Sequence, residues 1–282
     1  MGQLEDRVAL ITGAGRGIGR AIALAYAREG AKLALAARTR NELEQTAQAA
    51  KHLGAATCIV CTDVADPTQV ADMVRQTVTQ FGTIDILVNN AGIAGPIAPL
   101  QDTEVEAWMR TIQINLIGPY LCCRAVLPIM LQHNYGKIIN LSGAGATSAW
   151  RHLSAYVASK VAIVRLTEAM ALELEGTNIQ VNALGPGSVH TQMWEELRDG
   201  AKQAGATQLY ALGQQVTSGG GASIDRAAEL AVFLASEASG TLSGRLVSAV
   251  TDDFPSLPAR IPSLVASDAL MLRRVDLPTA DT

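Results

Sequence analysis

Residues 12–19 read Thr-Gly-Ala-Gly-Arg-Gly-Ile-Gly, follow an apolar run at 8–11 and lead into a helical pattern. This order predicts a strand, a glycine turn and a helix. Such a turn brings backbone N–H groups and a helix N-terminus together, which favours a bound pyrophosphate. Three glycines of this turn occupy positions where a side chain would interfere, either by keeping the backbone away from a ligand or by keeping the helix away from the strand. They are Gly13, Gly17 and Gly19. The turn alone does not distinguish a ligand site from a helix-packing turn.

A second motif lies far downstream, where Tyr156 and Lys160 are four residues apart in a helical pattern. On a helix they share one face, so the Lys160 ammonium can lie beside the Tyr156 phenol. The pKa of tyrosine in water is about 10, and a neighbouring cation favours the phenolate. Together the two motifs predict a nucleotide cofactor and a tuned acid/base pair. Asn115 lies inside an apolar pattern and needs partners, so it either stabilises a helix kink or holds a water in a proton relay.

The rest of the chain alternates between apolar runs and helical patterns. Several runs are almost wholly apolar, which is typical of strands covered by helices on both faces. We therefore predict an α/β fold: a single-domain, doubly wound parallel sheet of the Rossmann type, with about seven strands and helices on both faces. The predicted strands are 8–12, 32–37, 56–61, 84–89, 137–142, 179–184 and 246–250. The predicted helices are 18–28, 40–51, 68–81, 103–131, 155–174 and 225–236.

Composition excludes several classes of partner. The 282 residues carry a net charge of −4 and no basic block, so we expect no nucleic acid partner. No uncharged apolar run is long enough to span a membrane and the N-terminus shows no signal-peptide pattern, so we expect no membrane partner. Cys58 and Cys61 lie three apart in a predicted strand and point to opposite faces, so we predict no metal site. The cysteine usage fits a reducing cytoplasm, which is the predicted location.

The end of the second predicted strand indicates which nicotinamide cofactor binds. An acidic residue there would bind the adenosine ribose hydroxyls and repel a 2′-phosphate. This strand ends at Ala37 and Arg38, with no acid. Arg38 and Arg16 could clamp a phosphate from two sides, so we predict NADP, with NAD possible. Asp63, after the third strand, could contact the adenine.

Taken in order, these motifs resemble those of a short-chain dehydrogenase/reductase of the common short-subunit type. The resemblance covers roughly residues 5–250 and is carried by residues 12–19, 63–64, 89–92, 115, 156–160 and 182–187. It implies that Tyr156 exchanges the proton, that Lys160 lowers its pKa and binds the nicotinamide ribose, and that Asn115 completes the relay. The implied cofactor-binding residues are Gly13, Arg16, Gly17, Ile18, Gly19, Arg38, Asp63, Val64, Asn89, Ala91, Gly92, Tyr156, Lys160, Pro186, Gly187, Val189 and Thr191. Val189 and Thr191 would hold the carboxamide.

The resemblance also implies a reaction. The expected activity is hydride transfer between NADP and the carbonyl or carbinol carbon of a substrate. The expected substrate is a small molecule, either a carbonyl compound or a secondary alcohol. Alternatives are enoyl reduction, epimerisation or dehydration on the same fold, or a weakly catalytic NADP-binding sensor or scaffold protein. Relatives of this type are usually tetramers or dimers, so a homotetramer or homodimer is expected.

The predicted organisation is one domain in two parts. Residues 1–251 form the nucleotide-binding oxidoreductase domain, with a substrate loop at 188–222 whose glycine-rich part, 213–222, is predicted to be flexible. Residues 252–282 extend this domain, and three prolines in 252–262 exclude one continuous helix there. The extension would cover the active site, form an oligomer contact, or simply pack or fray.

One position departs from the family pattern near Tyr156. Gly143 stands where the family has a serine that polarises the substrate carbonyl, and Ser142 is one residue early. Ser142 is retained as a candidate catalytic residue, although in a regular strand it would face the wrong way. A serine introduced at position 143 is expected to bring activity closer to the family pattern, provided that the glycine is not needed for backbone geometry.

Overall fold

A computed structural model describes residues 2–274. The strands are β1 (Val8–Thr12), β2 (Lys32–Ala37), β3 (Thr57–Cys61), β4 (Ile86–Asn89), β5 (Gly136–Leu141), β6 (Ile179–Gly185) and β7 (Leu246–Ser248). The helices are α1 (Gly17–Arg28), α2 (Arg40–His52), α3 (Pro67–Phe81), α4 (Val105–Ile112), α5 (Gly118–His133), α6 (Ser154–Glu173), α7 (Gln192–Gln203), α8 (Thr207–Gln215), α9 (Ile224–Ala235) and α10 (Leu257–Val265).

The strands form one sheet in the order β3-β2-β1-β4-β5-β6-β7, and every neighbouring pair is parallel. All residues of β1 and β4 are buried, as expected of central strands covered on both faces. The order reverses between β1 and β4, and ligands of open parallel sheets bind at such a switch point, beyond the carboxyl ends of the strands. The predicted fold class is confirmed.

Helices cover the two faces of the sheet with separate apolar clusters. One cluster includes Ile22 of α1, Leu43 of α2 and Phe233 of α9. The opposite cluster includes Met73 of α3 and Met170 of α6, together with α5. The strands are thus held between two layers, and their loops at the carboxyl edge are left free to build a site.

The predicted helix at 103–131 is divided by a π turn, Gln113–Ile117, which joins α4 to α5. The combined helix Val105–His133 is long and apolar enough to cross a membrane, with a mean hydropathy of 1.6 in its most apolar window. Its residues Cys122, Val126 and Met130 pack in the core beneath the sheet. That packing accounts for part of its apolar composition, since 44% of the most apolar window is buried.

The prediction of a flexible loop at 213–222 is wrong for most of its length. Helix α8 runs on into a π turn, Val216–Gly220, and the chain leaves helical geometry at Gly219, where φ is +105°. Gly213 serves close packing, since a Cβ there would lie 2.8 Å from the Arg198 Cβ of α7. The predicted substrate loop is therefore a pair of packed helices.

The C-terminal segment closes the sheet at its β7 edge. The Leu246 N–H donates to the Leu270 carbonyl at 2.8 Å, and the Ser248 N–H donates to Asp252 Oδ2 at 2.7 Å. The backbone N–H groups of an edge strand would otherwise be available to another chain. A 3-10 turn, Phe254–Ser256, precedes α10, so the prolines do interrupt the helical path as predicted.

Two buried charged side chains fix this segment to the domain. Arg245 donates to the Leu264 carbonyl at 2.8 Å, and Glu168 of α6 accepts from the Leu272 N–H at 2.7 Å. None of the residues 252–274 lines the cleft described below. Within the described chain the extension is therefore a packed segment and not a lid, and residues 275–282 lie outside the described residues. The division at residue 251 stays a prediction.

Lys137 of β5 is a buried cation that makes stability depend on pH. Its Nζ donates to Ser239 Oγ at 3.1 Å and to the Gly240 carbonyl at 3.2 Å. Burial lowers the pKa of Lys137 to about 8. Because this value lies below that of an unfolded lysine, the unfolded chain binds more protons above about pH 8, and stability rises with pH there.

Lys137→Met should reduce that rise. We expect the free energy of unfolding, measured by urea denaturation, to climb less steeply between about pH 8 and 9.5 than in the unmutated protein, by up to about 1.4 kcal/mol per pH unit. Lys51→Met, at an exposed position on α2, is the matched control and should leave the slope unchanged. Equal slopes in both variants would contradict the assignment.

Candidate active site

A cleft of about 600 Å³ opens at the carboxyl edge of the sheet, over the β1/β4 switch point. It brings together most of the residues singled out in the sequence. Those that line it are Gly13, Arg16, Gly17, Ile18, Arg38, Asp63, Val64, Ala91, Gly92, Ser142, Tyr156, Lys160, Pro186, Gly187, Val189 and Thr191. Gly19, Asn89 and Asn115 are not among the lining residues.

The glycine turn is tied to the end of β4 by side chains. Thr12 Oγ1 accepts from the Asn90 N–H at 3.0 Å and from the Ala91 N–H at 3.2 Å. Asn90 Nδ2 donates to the Thr12 carbonyl at 2.9 Å and to the Gly13 carbonyl at 3.1 Å. A Cβ at Gly13, where φ is +65°, would lie 2.7 Å from Asn90 Nδ2. Asn90 has no separate role in the sequence-based prediction; its place directly after a strand next to the glycine turn is the signal that could have revealed it.

Gly19 and Asn89 support the cleft from beneath. A side chain at Gly19 would collide with the Gly13 carbonyl, so this glycine packs α1 onto the turn. Asn89 Nδ2 donates to Asn140 Oδ1 at 2.9 Å and to Cys123 Sγ at 3.3 Å, inside the sheet. Neither residue lines the cleft, and their contact with a cofactor stays a prediction.

The end of the cleft beside β2 carries three charged groups. Arg16 is paired with Glu42 of α2, with Nη1 and Oε1 3.1 Å apart. Arg38 makes no hydrogen bond or ion pair with any residue in 2–274 and lines the cleft. The sequence predicts that both arginines are free for a phosphate, whereas the structure pairs Arg16 with Glu42 and leaves Arg38 facing the cleft.

Asp63, at the end of β3, is held as a carboxylate. Partial burial alone would raise its pKa, but hydrogen bonds from the Ala65 N–H and from Arg110, with the charges of Arg110 and Arg38, hold the pKa of Asp63 below its ordinary value. Asp63 Oδ2 accepts from the Arg110 guanidinium of α4. This carboxylate is thus ionised and oriented, and only part of its accepting capacity remains for a ligand.

Tyr156 and Lys160 lie on the first two turns of α6 and face the cleft together. Lys160 Nζ donates to the Leu141 carbonyl at 2.9 Å and lies 5.7 Å from the centroid of the Tyr156 ring. Burial lowers the pKa of Lys160 to about 8 and raises the pKa of Tyr156 to about 12. In the protein by itself the phenol is therefore a neutral proton donor, and the expected lowering of its pKa by Lys160 is outweighed by burial.

Asn115 lies in the π turn between α4 and α5. Its Oδ1 accepts from the Ile93 N–H at 2.9 Å, and its Nδ2 donates to the Ile93 carbonyl at 2.9 Å and to Ser159 Oγ at 3.1 Å. The amide thus joins the helix kink, the loop after β4 and α6. The predicted water relay through Asn115 stays a prediction.

Ser142 and Gly143 leave β5 in a regular register. The Ser142 N–H donates to the Leu184 carbonyl at 2.8 Å, which continues the pairing with β6. A Cβ built on Gly143 would lie 2.5 Å from the Tyr156 hydroxyl oxygen. Since neighbouring side chains in an extended chain point to opposite sides, Ser142 points away from Tyr156. Ser142 Oγ is buried and has no hydrogen-bond partner among the described residues.

With this geometry in view, comparison with known proteins gives the family. Residues 7–202 match the family model described as short chain dehydrogenase. D-threitol dehydrogenase of Mycolicibacterium smegmatis is 37% identical over 243 residues, which cover 86% of this chain and 90% of the relative. Two solved structures have the same fold. NAD+-bound xylitol dehydrogenase has a TM-score of 0.82 and 32% identity, covering 87% of this chain and 98% of its own. Levodione reductase has a TM-score of 0.81 and 31% identity, covering 87% of this chain and 96% of its own.

The chain therefore belongs to the short-chain dehydrogenase/reductase family, and the resemblance found in the sequence is confirmed. It is an oxidoreductase that acts on the CH–OH or C=O group of a small molecule, and its family binds NAD or NADP.

The contact between position 143 and Tyr156 reverses the expectation for a serine at this place. Gly143 has an extended backbone with φ of −176°, which any residue adopts, so the constraint is space beside the Tyr156 hydroxyl. Gly143→Ala and Gly143→Ser should displace that hydroxyl and lower kcat/KM by roughly tenfold to a hundredfold.

The matched control for that experiment is Ser142→Ala, one residue earlier. We expect it to change kcat/KM by less than about tenfold, because its hydroxyl faces away from Tyr156. Thermal unfolding of each variant should stay near that of the unmutated protein. Higher activity in Gly143→Ser, or a large loss in Ser142→Ala, would show that the register at the end of β5 is different.

Proposed function

We propose that this protein is an NADP-dependent oxidoreductase that transfers a hydride between the nicotinamide and the carbon of a carbonyl compound or secondary alcohol. The observation that carries the proposal is one continuous cleft with a glycine turn and Arg38 at one end and the Tyr156 hydroxyl at the other. This arrangement would place a proton donor beside the nicotinamide end of a bound dinucleotide.

The residues present fit a dinucleotide. The glycine turn at the start of α1 leaves no side chain between its backbone N–H groups and a pyrophosphate, because Gly13, Gly15 and Gly17 line the cleft there. Residues 186–191 line the end near Tyr156 and would hold the nicotinamide, with Val189 and Thr191 at its carboxamide. When bound, the nicotinamide supplies or accepts the hydride.

Tyr156 and Lys160 divide the proton chemistry. In reduction Tyr156, kept neutral by burial, donates its hydroxyl proton to the substrate oxygen, and in oxidation it removes the alcohol proton. Lys160, with a pKa of about 8, is mostly protonated at neutral pH and stabilises the phenolate that forms. Its remaining N–H groups would donate to the nicotinamide ribose. Asn115 orients the loop at Ile93 and holds a water of the relay.

Substituting the proposed acid separates catalysis from binding. Tyr156→Phe should lose nearly all turnover and still bind NADPH, whereas Lys160→Ala should lose turnover and weaken cofactor binding. Turnover is measured by absorbance of the reduced nicotinamide and binding by its fluorescence. Tyr135→Phe, at a tyrosine that does not line the cleft, is the matched control. Near-normal kcat in Tyr156→Phe would require another acid.

Arg38 supports the preference for NADP, and Glu42 opposes it in part. Arg38 is free to bind a 2′-phosphate, while Glu42 already holds Arg16 and carries a charge that repels phosphate. Charge-assisted contacts of this kind contribute about 1.5–3 kcal/mol each, so one free arginine favours NADPH by about tenfold or more.

Charge reversal tests this assignment. Arg38→Asp should reduce or reverse the ratio of NADH to NADPH dissociation constants in a fluorescence titration, because the new carboxylate accepts from ribose hydroxyls and repels the 2′-phosphate. Arg40→Asp, two residues away and outside the cleft, is the control and should leave the ratio unchanged. Equal or tighter binding of NADH by the unmutated protein would contradict the preference.

A weakly catalytic NADP-binding sensor or scaffold is the second candidate. Gly143 favours it, because the substrate carbonyl lacks the second hydroxyl donor, a serine, that the family pattern places beside the tyrosine. Enoyl reduction, epimerisation and dehydration would use the same Tyr156 and Lys160. Product analysis after reduction with labelled NADPH separates them, since only carbonyl reduction leaves the label on the carbinol carbon.

We also propose a homodimer or homotetramer in the cytoplasm. Val105 is 67% exposed and Met109 49% exposed on α4, and Ile117 and Tyr120 continue this apolar surface towards α5. A second copy that covers it would remove these side chains from water. Sedimentation velocity should give a species larger than one chain, and a monomer at micromolar concentration would contradict the proposal.

All four cysteines are free thiols, which supports a reducing compartment, and cell fractionation tests the location.

A further inference from the structure

The part of the cleft around Tyr156 is built from an apolar cluster. The Tyr156 ring packs against this cluster, which is centred on α7 and the loop before α6. The cluster members that also line the cleft are Trp150, Leu153, Tyr156, Met193, Trp194 and Leu197. We call the five of these side chains other than Tyr156 the apolar wall. Because the wall adjoins the Tyr156 hydroxyl, a substrate whose oxygen contacts that hydroxyl must place another of its groups against the wall.

The wall is held in place by the fold. The Trp150 and Trp194 ring centroids lie 6.0 Å apart, with the rings tilted by 57°. The loop that carries Trp150 is fixed because the Ala98 N–H donates to the His152 carbonyl at 3.1 Å, and His152 has a φ of +66°. Trp194 belongs to α7 and is only 8% exposed. An aromatic surface with such fixed positions recognises shape without further ordering.

Polar residues near this wall include those of the segment 186–191, which would hold the nicotinamide, and His190 Nε2 in that segment is paired with Glu195 Oε1 at 3.1 Å. Gln192 and Glu196, the exposed polar residues of α7 that line the cleft, are hydrogen-bonded to each other at 3.0 Å. On the opposite side Gly143 and Ala144 carry no hydroxyl, and the Ser142 hydroxyl is buried. A hydroxyl moved from water to this wall would lose its hydrogen bonds, whereas an apolar group would gain from leaving water.

We propose, resting on the oxidoreductase function above, that the substrate is a ketone or secondary alcohol carrying an aromatic or alicyclic group, which packs between Trp150, Trp194 and Met193. A polyol is not the preferred substrate. This assignment concerns the substrate's non-reacting part and is independent of which nicotinamide cofactor binds.

Turnover of matched ketones tests the assignment. Acetophenone and cyclohexanone are compared with erythrulose and dihydroxyacetone, with NADPH and with NADH, by loss of reduced-nicotinamide absorbance. We expect kcat/KM for the apolar ketones to be higher by about a hundredfold, the discrimination typical of an apolar pocket. An equal or higher value for erythrulose would overturn the apolar assignment and leave the oxidoreductase function standing.

Measuring ketone binding by tryptophan fluorescence distinguishes the proposed apolar substrate site from the proposed oxidoreductase reaction. Trp108 does not line the cleft, so in Trp108→Phe the tryptophan emission comes from Trp150 and Trp194 alone. Quenching by cyclohexanone with cofactor present, but not by erythrulose, supports the apolar site even without turnover. Binding without turnover of any ketone would instead contradict the proposed reaction. No quenching by either apolar ketone would overturn the apolar site.

Trp150→Ala identifies the residue that carries the preference. Trp150 is on a partly exposed loop, so the change should leave the fold and the NADPH dissociation constant unaltered. We expect at least about tenfold loss of kcat/KM for acetophenone and less than about threefold for acetone, which is too small to reach the wall. Equal losses for the two ketones would show that Trp150 has only a structural role.

Discussion

The cleft depends on the hydrogen bonds that join the ends of β1 and β4. Thr12 Oγ1 and the Asn90 side chain satisfy backbone groups of both strands at the point where the sheet order reverses. At this point no crossover helix covers the strand ends, so their polar groups need local partners. Because two side chains supply those partners, the glycine turn can stay free of side chains and face the cleft. The binding surface at the switch point thus rests on one local network of hydrogen bonds.

The proton chemistry also depends on a group that the sheet holds in place. Lys160 is buried, and its ammonium is held by the Leu141 carbonyl at the end of β5, so the position of the charge is set by the sheet. Burial acts on the pair in opposite directions, lowering the pKa of Lys160 and raising that of Tyr156. Both shifts favour the neutral forms. The positive charge of an oxidised nicotinamide would lower the pKa of Tyr156 and so oppose the effect of burial on the phenol, whereas it would lower the pKa of Lys160 further.

Structural features that depend on residues close together in sequence can be predicted from the sequence. Features that depend on contacts between distant segments cannot. The strands, the glycine turn and the Tyr156–Lys160 pair all follow from periodicity within a few residues, and the structure places them together. The Arg16–Glu42 pair joins residues 26 apart in sequence, one in the turn before α1 and one on α2, so no local pattern indicates it. Asn89 and Asn90 are adjacent amides at the end of β4, yet side chains alternate along a strand, so Asn89 bonds to Asn140 inside the sheet and Asn90 bonds to the glycine turn. The glycines at 213–220 read as a loop because composition cannot distinguish a flexible glycine from one that allows two helices to approach.

Gly143 connects the departure from the family pattern with the character of the substrate. Where a serine would stand, the space is taken by the Tyr156 hydroxyl itself, so the reacting oxygen depends on one donor. A site with a single polar donor holds its substrate poorly by hydrogen bonds, and orientation must come from the remaining contacts. Those contacts are the tryptophan and methionine side chains around Tyr156, which bind through area and shape. The loss of a hydroxyl at position 143 and the apolar wall are therefore physically complementary, since the wall supplies the positioning that a second hydrogen bond would otherwise provide.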